Sequence, residues 1–295
     1  MIKKILSKLD WYMRVIYSKL GVKRFYDING FSISVDYMHR LPDYQRNHRD
    51  YDRFLPHLVK YLENDSLVID IGANIGDTLA GMVGSNDKIE YLCIEAAKEF
   101  FDELEKNTEN LKKQNTGLKI KIVKQLIGKD VDNVNLVGIG GTKHAVLGSG
   151  GIKSKSLFQT INDLNLKQER IALLKTDVDG FDWDVIRSSF ELLSHNPYIF
   201  FECQYDNDEQ LKNYEELFKE LQVIGYSKFA FFDNYGNYIC TISDLERAHE
   251  LLSYIERQNF YKSTRTIYYY DVLVYSSNKV NEAKQIIDEY NKNRM

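Results

Sequence analysis

From residue 67 onward, apolar residues fall in short runs, separated by stretches in which they recur every three or four positions. Such a pattern reads as strands alternating with helices. Strands are predicted at 67–71 (LVIDI), 89–94, 120–125, 171–177, 198–202, 228–233 and 267–275, with helices at 76–84, 97–113, 181–193, 208–224, 243–258 and 279–292. Alternation of this kind builds an α/β protein, a mostly parallel sheet with helices on both faces. Six of the 17 glycines (Gly138, Gly140, Gly141, Gly148, Gly150 and Gly151) crowd behind the third strand, where a mobile loop or hairpin is expected.

Residues 1–59 follow a different pattern. Ile2, Ile5, Leu6, Leu9, Met13, Ile16 and Leu20 occupy one stripe of a helix. Within residues 1–24, seven basic side chains face a single acid, Asp10, so this segment is +6; the whole chain is −4, which leaves −10 for the remainder. No apolar run approaches the ~18 residues of a membrane span. No cleavable leader pattern precedes the body. The stripe therefore either packs on protein, within the chain or on a second copy, or lies on an anionic membrane with Trp11 and Tyr12 at the headgroups. The chain divides at this point into an N-terminal amphipathic helix with a lead-in segment (1–59) and an α/β body (60–295).

Composition narrows the class. At 295 residues and 43% hydrophobic, the chain buries one sizeable core. Net acidity argues against a nucleic-acid partner. Cys93, Cys203 and Cys240 form no paired motif and suit a reducing compartment, so the expected location is cytoplasmic, peripheral at the inner membrane face if the helix meets lipid.

Chemistry is expected where the parallel strands end. The first strand runs into Asp70-Ile71-Gly72-Ala73-Asn74-Ile75-Gly76-Asp77-Thr78. Gly72 lets a backbone approach a ligand, Gly76 opens a helix, and Asp70 favours a cationic group over a pyrophosphate. The second strand ends in Glu95, an acceptor for the two hydroxyls of an unphosphorylated ribose. The spacing Gly72-x-x-x-Gly76 misses the dinucleotide fingerprint.

These residues resemble the class I S-adenosylmethionine-dependent methyltransferases, and within them the FkbM family. VIDIGANIGDT (68–78), LLKTDVDGFDWDVI (173–186) and PYIFFE (197–202) carry the resemblance, with RLPDYQRNHRDYDRFLPHL (40–58) similar to the family's lead-in; together they span about residues 36–275. DVDG stands where the family more often has DVEG. The resemblance implies a Rossmann-like, seven-stranded sheet whose last strand is antiparallel, with residues 60–295 as the catalytic domain. It also implies O-methylation, often of sugar hydroxyls in glycans or natural products, and hence a place in polysaccharide biosynthesis. By the same resemblance Asp70 meets the methionine ammonium, Gly72, Asn74, Gly76 and Asp77 wrap the methionine, Glu95 holds the ribose, and Gln125 and Leu126 border the adenine. A non-sugar small molecule as acceptor, or a nucleoside-binding scaffold without transfer chemistry, are the competing readings.

A hydroxyl must lose its proton to attack a sulfonium methyl, so a base or a metal is needed near it. Asp177, Asp179 and Glu202 close neighbouring strands and supply either a base or ligands for Mg²⁺ or Mn²⁺. Asp179 alternatively caps the helix predicted to begin near Phe181. His144, in the glycine-rich stretch, is a further candidate base. His39, His48 and His57 lie in the lead-in, as a second wall of the cleft. Arg265 with Tyr268, Tyr269 and Tyr270 offers an acceptor surface. Asn196-Pro197-Tyr198 stands before the fifth strand, not at the end of the fourth, which disfavours base methylation of DNA or RNA.

Overall fold

The computed structural model describes residues 2–129, 134–137, 144–147, 152–260 and 266–292. Helix α1 (Ile2–Lys19) leads into a hairpin of β1 (Lys23–Ile28) and β2 (Phe31–Asp36), then into α2 (Leu41–Asn47) and α3 (Phe54–Leu58). The hairpin and both short helices are additions to the predicted elements. The hairpin carries a legible signal, because Asn29 (φ 54°) and Gly30 (φ 85°) form the left-handed pair that a two-residue turn demands. β2 would leave an open edge, but α5 closes it with amides that imitate a strand. Asn107 exchanges bonds with the Ser34 backbone (2.8 and 3.0 Å), Gln114 does so with Ser32 (both 2.9 Å), and Asn110 donates to the Ser32 carbonyl (2.8 Å).

The body continues through β3 (Leu67–Ile71), α4 (Asp77–Val83), β4 (Glu90–Glu95), α5 (Lys98–Gln114) and β5 (Lys119–Lys124). Four short strands follow: β6 (Leu126–Ile127), β7 (Val134–Val137), β8 (His144–Leu147) and β9 (Ser154–Lys155). β7 and β8 pair as an antiparallel hairpin within the expected loop region, while the six clustered glycines lie outside the described residues. Next come α6 (Leu157–Asp163), β10 (Ile171–Thr176), α7 (Asp182–Arg187) and β11 (Tyr198–Cys203). The helix expected at 181–193 is two pieces, α7 and a 3-10 turn at Phe190–His195. The chain closes with α8 (Asp208–Val223), β12 (Tyr226–Asp233), β13 (Tyr238–Ile242), α9 (Leu245–Phe260), β14 (Tyr270–Ser276) and α10 (Val280–Lys292).

The main sheet runs β13-β12-β14-β11-β10-β3-β4-β5. Seven of its strands are those expected, with the last, β14, antiparallel between β11 and β12; β13 adds an eighth at the edge of β12. All five residues of β3 are buried, as befits a strand covered on both faces. Successive residues alternate between two apolar layers. Val68, Leu173 and Phe200 pack with α3, α4 and α10, and Ile69, Leu174 and Phe201 with α6, α8 and α9. Ile28, Ile33, Val35, Leu41 and Phe54 belong to the first of these layers, so the lead-in shares the core of the body. Strand order turns back between β3 and β10, and the crevice at their carboxyl ends is the ligand position of such sheets. No helix among the described residues is long and apolar enough to cross a membrane.

Candidate active site

A cavity of about 1520 Å³ opens at that switch point. It exceeds the roughly 300–1,000 Å³ of a single-ligand pocket, which leaves room for a donor beside an acceptor.

The loop after β3 is shaped by contact with its neighbours. The Gly72 amide donates to Ile94 (2.9 Å), and a Cβ on Gly72 would overlap the Asp177 carbonyl, so two strand-end loops meet there only because residue 72 is glycine. Glu95 braces the same loop from β4: it is 8% exposed and accepts from the Asn74 amide (2.9 Å) and the Ala97 amide (2.8 Å). Burial raises its pKa against the pull of those two bonds. Gly72, Asn74, Asp77, Glu95, Gln125 and Leu126 all reach the cavity wall. Gly76 (φ 87°) stands at the N-terminus of α4, and Gln125 uses its amide nitrogen on the Leu126 and Lys153 carbonyls (3.1 and 3.0 Å).

Asp70 departs from expectation. It is 1% exposed and stands directly across the strand pair from Lys175, whose Nζ lies 2.8 Å from its carboxylate and 3.1 Å from the Gly72 carbonyl. Lys175 therefore faces the cavity and Asp70 lies beneath it. Burial alone would lower the Lys175 pKa, but Asp70 and Asp177 more than offset it and leave it raised. Sequence reading missed Lys175 because a separation of 105 positions along the chain hides its pairing with Asp70.

On the far side of Lys175 the carboxylates gather. The Asp177 oxygen is 3.8 Å from Lys175, and its side chain is 49% exposed on the cavity wall. Burial raises its pKa against Lys175, with Asp70 and Asp77 adding to the rise. Glu202 on β11 sits opposite Asp271 on β14 in register. Both are pushed well up, first by burial and then by the Asp177 charge. Asp52, in the lead-in with φ 57°, is exposed on the cavity wall, where desolvation and then the charges of Asp77 and Asp177 raise its pKa to about 7. Like charges opposite one another cost stability. Asp52 and Asp271 carried no motif; only the fold of the lead-in over the strand ends brings them here.

Asp179 (φ 53°) and Gly180 (φ 87°) make the turn after β10. The position capping α7 is Phe181, two residues beyond Asp179, and the Phe181 side chain makes no cap bond. The turn is held instead by buried Asp182, which accepts from the Thr176 hydroxyl (3.0 Å) and the Val178 amide (3.4 Å), and burial lifts its pKa to about 8. Among the described residues no three His, Cys, Asp or Glu side chains are placed to hold a metal ion, and Asp177, Asp179 and Glu202 are no exception. The residues do not fit the divalent cation considered from sequence.

Of the histidines, His39 reaches the cavity. His48 stacks on Tyr235 with ring centroids 3.7 Å apart. His57 is buried at 2.9 Å from the Ile286 carbonyl, with its pKa lowered by burial. His144 starts β8, and its side chain lies outside the described residues, as does Arg265. Tyr268 and Tyr269 line the cavity, whereas Tyr270 turns to the opposite layer against Phe231. Beside them Asn234 is 2% exposed with neither its amide nitrogen nor its oxygen hydrogen-bonded.

Residues 70–260 match the profile of the Methyltransferase FkbM domain, well over half of the chain. The chain belongs to the FkbM methyltransferase family. It is accordingly an S-adenosylmethionine-dependent methyltransferase, and the loop geometry above fits that donor. No curated protein matches the chain in sequence. Among solved structures, it is similar to the methyltransferase FkbM of Methylobacillus flagellatus KT (12% identity, 80% of this chain and 58% of that one, TM-score 0.38). It is also similar to the precorrin-6y C5,15-methyltransferase of Geobacter metallireducens GS-15 (10%, 76% and 86%, TM-score 0.39) and to M. jannaschii TYW2 in complex with AdoMet (10%, 86% and 84%, TM-score 0.43).

Proposed function

We propose that this FkbM methyltransferase methylates a hydroxyl of a saccharide or glycan intermediate, with a carboxylate of the cavity as base. The observation that carries this reading is the second half of the cavity. Paired Glu202 and Asp271, Asp177, Asp52 and the unbonded amide of Asn234 stand there among Tyr51, Tyr268 and Tyr269. Carboxylates and an amide bond hydroxyls as donors or acceptors, and tyrosine rings cover the C–H face of a sugar. An anionic acceptor would meet like charge.

In the donor half, Gly72, Asn74, Gly76 and Asp77 hold the methionine part, Glu95 uses its remaining lone pairs on the ribose, and Gln125 and Leu126 border the adenine. Asp70 acts through Lys175 and not on the ligand. S-adenosylmethionine, when bound, supplies an electrophilic methyl on a sulfonium: the acceptor oxygen bonds to it as the carbon–sulfur pair returns to sulfur. Asp177, with Glu202 beside it, takes the hydroxyl proton; burial and neighbouring charge raise both above the ordinary carboxylate range, which makes each a stronger base. The other carboxylates position the acceptor, which makes the step effectively unimolecular. No step runs through a metal.

Mass spectrometry of glycans from the source, with and without the gene, tests this. A saccharide that loses one methyl in the deletion, and regains it from purified protein and S-adenosylmethionine, supports the reading. Turnover of non-sugar hydroxyl compounds alone would replace the saccharide with a small-molecule acceptor.

A further inference from the structure

We propose that α1 and the segment after it form a docking surface for an anionic lipid bilayer, set at the rim of the cavity. Nine of the thirteen large hydrophobic side chains exposed among the described residues lie between residues 9 and 38. The stripe of Leu9, Met13 and Ile16 on α1, continued by Leu20 just past its end, is 40% to 70% exposed. The opposite face, with Arg14, Val15, Tyr17 and Ser18, is half-buried. It is tied down by Arg14 on Asp43 (Nη2 to Oδ1, 3.1 Å) and by the ring of Tyr17 on Tyr37 (4.7 Å). A helix packed for solution turns its apolar stripe inward. Here the stripe is turned out.

Leu20, Val22 and Phe25, the last 73% exposed, extend this apolar character from the helix end into β1. Tyr12, more than half exposed, flanks the stripe and supplies a ring for the headgroup boundary. Charge selects the occupant. A symmetric second copy would bring α1 against α1, +6 against +6, since a two-fold interface joins the same patch on both subunits. Anionic headgroups complement that charge and repel the −10 remainder. The surface also borders the site: Lys23, Ser34, Asp36 and Met38 line the cavity, and Met38 is itself 40% exposed. Docking thus orients the mouth toward acceptors held at a membrane, and it stands independently of whether the acceptor is a sugar.

The test uses the full chain with vesicles of phosphatidylcholine alone and of phosphatidylcholine mixed with phosphatidylglycerol. Flotation should show binding only to the mixed vesicles, weakening as salt rises. Ile16→Asp with Leu20→Asp should lower partitioning by roughly 100-fold or more, since two aliphatic side chains leave the lipid. Lys8→Gln and Lys19→Gln should each lower it about five-fold. All these variants should keep the wild-type affinity for S-adenosylmethionine, because none reaches the cavity. A folded, donor-binding protein that ignores mixed vesicles at low salt overturns the proposal. So does a dimer in solution that the double aspartate variant converts to monomer, which would give the stripe to a second copy. Failure of donor binding in the wild type would instead strike the functional reading.

Discussion

Glu95 shows how much one side chain can hold. Its two oxygens already anchor the amides of Asn74 and Ala97, so a change there loosens the donor loop as well as any ribose contact. Glu95→Ala is expected to weaken S-adenosylmethionine roughly 10- to 100-fold, about 1.5–3 kcal/mol for lost charge-assisted bonds, in a protein that still folds. Calorimetry checks it, and an unchanged affinity sinks the role. Asp177→Asn should keep the donor bound yet cut turnover by about 10²-fold or more, as the amide accepts no proton; EDTA should leave the wild-type rate unaltered, and a rate restored by Mg²⁺ after EDTA would show a metal at work. Asp182 gives the pH prediction. Its pKa is raised from 3.8 to about 8, so the native state binds a proton that the unfolded chain has released, and stability present below pH 4 is lost as pH rises toward 8. Asp182→Asn should remove that contribution, flattening the fall by ~1.4 kcal/mol per pH unit between pH 5 and 7, read from urea midpoints. The chemical type of Glu95, Asp177 and Glu202 was legible at strand ends. The burial of Asp70 and the convergence of Asp52 and Asp271 were not, because cross-strand register is set by residues far apart in the chain.

At the scale of elements, α5 does two jobs that its amphipathic pattern half conceals. Its buried Asn107 reads as a fault in an apolar face until β2 is placed against it, whereupon the amide serves the Ser34 backbone and the Ile75 carbonyl (2.8 Å) of the donor loop. Asn107→Ala should destabilise by ~2–3 kcal/mol, because it strands buried backbone groups, and should weaken donor binding through Ile75; denaturant midpoints and calorimetry measure both. The hairpin itself announced its turn at Asn29-Gly30, but strands β1 and β2 lacked the uniform apolar runs of β3 or β4, and the open edge of β2 is closed by side-chain amides instead of another strand. β13 escaped for a related reason: as an edge strand whose residues are partly exposed, it carries little hydrophobic contrast.

For the whole molecule, the lead-in is a structural part of the body. Removing residues 1–36 deletes Ile28, Ile33 and Val35, each at most 3% exposed, at ~1.5–3 kcal/mol apiece, which is comparable with the stability of an entire domain. That truncation should give no cooperative unfolding by calorimetry, whereas removal of residues 1–20 should cost far less, about 1–2 kcal/mol, since among the described residues no side chain of that segment is fully buried and its ties are half-buried contacts such as Arg14 on Asp43 and Tyr17 on Tyr37. Sequence alone determined the alternation of strands and helices, the glycine turn after β3, the acids at strand ends and the segregated positive charge of the first 24 residues. All of these are local, resting on periodicity, on left-handed backbone at glycine or on residue type. Tertiary structure alone decided that β14 inserts beside β11, that Lys175 neutralises Asp70, and that the apolar stripe of α1 faces outward. Each depends on which surfaces meet across long stretches of chain, and the free energy of that choice is shared among many buried residues, none of which encodes it singly.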